Sequence, residues 1–122
     1  MQDALLEELT DWLRIPSIST GESDPDALRT AAEWVVERVR AAGGEAEVVE
    51  SRGNPLAVGE LRAVDPDAPT VLIYGHYDVQ SVGDPLTWES PPFEPTVRHG
   101  RLYARGASDD KGNFLPLLHV AC

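Results

Sequence analysis

Val71-Leu72-Ile73-Tyr74-Gly75-His76-Tyr77-Asp78-Val79-Gln80 joins an uninterrupted apolar run to two side chains able to hold a cation. The four apolar residues follow a turn cluster, Asp65-Pro66-Asp67-Ala68-Pro69, and precede a glycine. That pattern predicts a strand covered on both faces, central and parallel in its sheet. A His and an Asp just beyond it stand at the carboxyl end of the strand, where open α/β sheets bind ligands. Residues two apart in extended backbone point the same way. Asp78 can therefore accept a hydrogen bond from one imidazole nitrogen of His76 while the other nitrogen faces a metal. Taken alone, His-x-Asp is a short pattern, and an isolated His is more often structural than a ligand.

Upstream, Leu5, Leu6, Leu9, Trp12 and Leu13 share one helical face, and Pro16 ends that helix, predicted over roughly 3–14. Asp24-Pro25 reads as an N-cap followed by proline at the first helical position. The second helix carries the stripe Leu28, Ala31, Ala32, Val35, Val39 and Ala42, and Gly43-Gly44 stops it. The period then changes to two: residues 45–50 and 56–61 predict paired strands with one wet face. Downstream, an irregular stretch from Ser81 to Pro95 leads to Thr96-Val-Arg98 and Arg101-Leu-Tyr103, a hairpin turning at His99-Gly100. The last segment, from Gly112, predicts an apolar helix. It tolerates Pro116 if that residue sits in the first turn, where amides have no intrahelical partner. The sum is an α/β fold, a mixed sheet flanked by helices.

The chain has 122 residues and a formal charge of −11. Ten basic residues against 21 acidic ones argue against nucleic acid and anionic membrane surfaces as partners. Hydrophobic residues make up 42%, too apolar for intrinsic disorder. Cys122 is the single cysteine, so an intramolecular disulfide is excluded. No apolar run approaches the roughly 20 residues of a membrane span, and Met1-Gln-Asp-Ala-Leu-Leu-Glu-Glu lacks the basic head and apolar centre of a signal peptide. A reducing, cytoplasmic setting is the expectation.

A second cluster is Arg105-Gly106-Ala107-Ser108-Asp109-Asp110-Lys111-Gly112. Two adjacent carboxylates at a loop-to-helix junction read either as a helix cap or as cation ligands, with Gly106 and Gly112 letting backbone approach closely. His99 reads as an exposed turn residue and His119 as a packed helix residue. Trp12, Trp34 and Trp88 read as core or loop anchors, and the Trp88–Phe93 loop is placed to pack under the His76 site.

Taken together, Gly75-His-Tyr-Asp-Val-Gln80, Trp88-Glu-Ser-Pro-Pro-Phe-Glu-Pro95 and Gly100-Arg-Leu-Tyr-Ala-Arg-Gly-Ala-Ser-Asp-Asp-Lys-Gly112 closely resemble the M20 family of metallopeptidases. The likeness extends to Ile15-Pro-Ser-Ile-Ser19 and Ala31-Ala-Glu-Trp34. The forms around His76 and Asp110 look most like the dipeptidase, carnosinase-like branch. Its deacylase branch more often has Met or another residue where Asp110 stands. One departure is Ala104, where the family commonly has glycine.

The resemblance implies that His76 ligates one zinc ion and that Asp109 bridges two, with manganese or cobalt as substitutes. It implies that Asp78 is the catalytic-site carboxylate that orients His76, and that the Asp109–Asp110 peptide is cis. The chemistry implied is hydrolysis of a dipeptide or small-peptide amide by a water activated between two metals. Residues 1–122 would form the N-terminal part of the catalytic domain. The remaining ligands, the general base, the later strands and the lid domain would come from elsewhere in a longer protein, which would be the form that dimerises. The isolated chain would be inactive. An M20 deacylase or carboxypeptidase, and a non-enzymatic acidic interaction or metal-binding module, are the alternatives.

Overall fold

The computed structural model describes residues 2–122, so Met1, the start of the segment read above for a signal peptide, lies outside it. Helix α1, Gln2–Leu13, ends before Pro16, which has no amide to continue the ladder. Helix α2, Pro25–Ala41, starts as predicted: the Asp24 carboxylate accepts from the Ala27 amide at 3.0 Å, and Pro25 takes the first helical position. After Gly43, at φ 86°, strand β1, Glu45–Val49, pairs antiparallel with β2, Leu56–Glu60. Glu45, Glu47 and Val49 face water, whereas Ala46 and Val48 turn toward α2. Strands β3, Thr96–Arg98, and β4, Arg101–Tyr103, form the second hairpin. His99 and Gly100 both adopt positive φ, 51° and 72°, as a two-residue turn with that twist requires, and His99 is exposed. Helix α3 runs Lys111–Ala121.

The three helices close on Trp12, which is fully buried. Its ring stacks on Trp34 at 5.1 Å between centroids and meets Phe114 at 5.9 Å, and its indole N–H donates to the Ala31 carbonyl. Val35 and Val39 of α2 and Leu115 and Leu118 of α3 complete the core. A polar tie runs beside it: Glu8 of α1 accepts from Arg38 of α2 and meets His119 of α3 at 3.1 Å.

Two expectations change. Residues 71–74 belong to no strand, and Val71, Leu72 and Tyr74 are 77%, 90% and 85% exposed. Apolar content is what marked them as a buried central strand, yet burial needs neighbouring strands, and each hairpin here closes on itself. A cleft of about 400 Å³ separates Ile73–Asp78 from β2. Among the described residues the parallel pairing is confined to a bridge between Ile18 and Val79. Pro116 is the sixth residue of α3, one turn past the free amides, so the helix does forgo a hydrogen bond there.

Candidate metal centre

Loop Ile15–Thr20, following α1, lies alongside Tyr77–Ser81. Val79 N donates to Ser17 O at 2.9 Å and Ser19 N to Val79 O at 3.1 Å. The buried Ser17 hydroxyl donates to Tyr77 O at 2.7 Å, and Ser81 N to the Thr20 hydroxyl at 3.0 Å. Tyr77 donates its phenol proton to Pro55 O at 2.6 Å, and burial first, with Asp78 second, pushes that phenol up to about 12. The stretch carrying His76 and Asp78 is thus held from the α1 side and from the β2 side.

From the other direction comes the Asp109 loop. The Gly106 amide region and the start of α3 fold onto each other, with Gly112 N donating to Gly106 O at 3.3 Å. A side chain at Gly112 would begin 1.8 Å from the Ala107 oxygen, and one at Gly106 2.9 Å from a Val79 methyl. Close approach of backbone is therefore the role of both glycines. The Asp109–Asp110 peptide is cis.

These two supports bring His76 and Asp109 together across 33 positions of sequence. His76 Nδ1 lies 3.0 Å from Asp78 Oδ1, and His76 Nε2 lies 3.0 Å from Asp109 Oδ1. The second oxygen of Asp78 accepts from the Ser19 hydroxyl. Asp110 turns away from this line, its Oδ2 accepting from the His76 amide at 3.0 Å; it does not cap α3 with its side chain. Burial lowers the His76 pKa. The hydrogen bond from Nδ1 to the Asp78 backbone carbonyl at 3.1 Å and the charges of Asp78, Asp110 and Asp109 outweigh it and leave the group raised.

The donor chemistry suits a divalent cation. One imidazole nitrogen is occupied by a carboxylate, the arrangement that fixes a metal-binding tautomer, and the other meets a second carboxylate in solvent. Two ligand atoms on a tetrahedral zinc stand about 3.3 Å apart, close to the 3.0 Å between Nε2 and Oδ1. Among the described residues no group of three or more His, Cys, Asp or Glu converges, so this chain offers two donors to such an ion.

Sequence reasoning picked out His76, Asp78 and Asp109, and the structure brings all three together. It missed two supports. Lys111 is fully buried, its ammonium donating to Trp12 O and Ile15 O at 2.9 Å each, and burial lowers it to about 7. Ser19 grips Asp78; its signal was the Ser17-x-Ser19 spacing, which puts two hydroxyls on one side of extended backbone. The Trp88 loop does not underlie the site: Trp88 donates to Val82 O and lies under the Arg105 guanidinium at 5.2 Å. His119 packs between helices as expected. No helix of the described residues is long and apolar enough to cross a membrane.

Residues 72–122 match the model of "Peptidase family M20/M25/M40". Cysteinylglycine-S-conjugate dipeptidase of Corynebacterium striatum is 30% identical over 93% of this chain and 25% of its own length. Succinyl-diaminopimelate desuccinylase of Paraburkholderia xenovorans (strain LB400) is 44% identical over 66% of this chain and 21% of its own. In three dimensions the chain superposes on human carnosine dipeptidase 1 with a TM-score of 0.86 and 29% identity, over 98% of this chain and 28% of that one. It spans about a quarter of the length of the curated relatives it matches. A match to the family model over residues 72–122, and a fold shared with a carnosine dipeptidase across nearly every residue, make this chain similar to peptidase family M20.

Proposed function

We propose that the chain belongs to a divalent-metal hydrolase that cleaves the amide bond of dipeptides, and that His76 and Asp109 are two of its zinc ligands. The observation that carries this reading is the line Asp78–His76–Asp109, in which Nδ1 is held by one carboxylate and Nε2 meets the other. Asp78 keeps the proton on Nδ1 and so presents Nε2 as a bare lone pair. Asp109, exposed and at the end of a tightly packed loop, brings an anionic oxygen to the same point. Bound zinc would polarise the scissile carbonyl and acidify water. Likeness to two dipeptidases over nearly the whole chain supports the substrate class. With two donors the chain holds half a site, so hydrolysis belongs to a longer polypeptide that supplies further ligands and a general base.

The test is to assay the 122-residue chain and the longer gene product on unblocked dipeptides with zinc or manganese. The longer product is expected to turn over and the short chain not. Turnover by the short chain at the same rate would refute the half-site reading. The desuccinylase relative, the most nearly identical of the three, favours a second reading, hydrolysis of N-acyl amino acids. An N-succinyl amino acid in the same assay, cleaved while dipeptides are spared, would establish it instead.

A further inference from the structure

We propose that residues 70–75 form a self-complementary edge through which two copies of this chain pair, antiparallel, as neighbouring strands of one sheet. The pairing is independent of the metal reading, since it uses no side chain of the His76–Asp78–Asp109 line.

Val71, Leu72 and Tyr74 stand in water within a stretch that carries no charge from Ala68 to Gly75, on a chain whose formal charge is −11. Exposed apolar side chains alone would say little. The backbone says more: among the described residues, no amide or carbonyl of residues 70–75 takes part in a backbone hydrogen bond. The stretch is bounded at both ends, because Pro69 has no amide to donate and the amide of His76 is taken by the Asp110 carboxylate at 3.0 Å. Six uncharged residues with open donors and acceptors have the make-up of an unprotected strand edge, which pairs with another strand.

The partner has to bring an open edge that is equally free of charge. Each of the four strands fails this: β1 carries Glu45 and Glu47, β2 Glu60, β3 Arg98 and β4 Arg101. Such residues guard an edge against pairing. The same six residues of a second copy meet the requirement. Twofold symmetry brings the same edge of each copy together, which the hydrogen-bond pattern allows antiparallel. Leu56 and Val58, exposed on the opposite wall of the cleft, add apolar surface beside the run. The net charge of each copy opposes approach over the Debye length, about 8 Å at physiological ionic strength, so the pair is expected to tighten as salt rises.

The test is sedimentation equilibrium of the 122-residue chain over a concentration series at low and high salt, with amide hydrogen exchange of residues 70–75 on the same samples. The mass is expected to rise from 13.3 kDa to twice that value with concentration, sooner at high salt, and exchange of these amides to slow in step. Leu72→Lys puts a charge inside the run on a side chain already in water, so the monomer keeps its contacts; its mass is expected to stay at that of one chain. Val120→Lys, at an exposed apolar position of α3 outside the run, is expected to pair as wild type does. A wild-type mass of one chain at every concentration overturns the proposal, and a mass that climbs past two chains overturns the closed pair. Association that Leu72→Lys leaves intact, or that Val120→Lys abolishes, also overturns it and moves the contact elsewhere. Slow exchange of residues 70–75 at every concentration would instead assign the edge to a strand of the same copy.

Discussion

Replacing Gly112 with alanine sets two effects of opposite sign against each other. Gly112 is the second residue of α3, and alanine is the better helix former by about 1 kcal/mol in a helix interior, less near an end. On propensity alone the variant gains stability. Against this, the new methyl would start 1.8 Å from the Ala107 oxygen and 2.8 Å from its carbonyl carbon, where ordinary contact begins at 3.4 Å. Both partners are backbone, so no rotamer relieves the clash, and the loop or the helix start must move by more than 1 Å (the order of the shortfall). Overpacking of this kind costs about 1–3 kcal/mol, occasionally more. The clash wins, and a net loss of about 2 kcal/mol is expected. At a urea slope of about 1–3 kcal/mol per molar, the unfolding midpoint falls by about 1 M. Gly53→Ala is the control: its methyl would meet nothing nearer than 4.0 Å, and its midpoint is expected to stay within about 0.5 kcal/mol of wild type. The ¹⁵N signals of His76 should shift as the Asp109 loop gives way. A Gly112→Ala midpoint equal to or above wild type would refute the argument that backbone proximity fixes this loop.

Lys111 separates packing from charge. Lys111→Ala removes a fully buried stem and is expected to cost about 2–5 kcal/mol, as for other long side chains in a core. Lys111→Met keeps the stem. Trp12 O and Ile15 O retain backbone donors, Ile15 N and Ser17 N, so this variant is expected within about 1.5 kcal/mol of wild type; equal losses in the two would contradict that division. Asp24→Ala removes the side-chain cap of α2 and is expected to lower stability by about 1 kcal/mol in the same urea assay, with an unchanged midpoint counting against the cap.

Where local rules decide, the sequence was sufficient. Asp24-Pro25 started α2, and His99-Gly100 turned the β3–β4 hairpin because two adjacent positive φ values leave few alternatives. The ligand line was legible for a different reason: His-x-Asp on extended backbone fixes the side on which both side chains stand. What sequence could not convey was long-range partnership. Val71–Tyr74 has the composition of a covered strand, but composition does not supply partners, and both hairpins pair within themselves and leave Val71, Leu72 and Tyr74 exposed. Lys111 reads as a solvated cation beside two aspartates; its burial follows from the way α3 meets the end of α1. Ser19 carries no chemistry until Val79 is laid beside it.

The bond from Lys111 to Trp12 O closes 99 positions of sequence, and the His119–Glu8 contact closes 111. Nothing nearer completes the wall of the core around α1, because Leu115 and Leu118 reach Trp12 from the same helix. During synthesis at about 5–20 residues per second, α1 therefore waits about 5–20 s between its own emergence and the arrival of its cover. Over that interval the indole of Trp12 has α2 for a partner and an open flank where α3 will dock. Within these residues, the site therefore assembles when α3 arrives, well after α1 is made. Of the three described helices, the first to be made is covered only when the third docks.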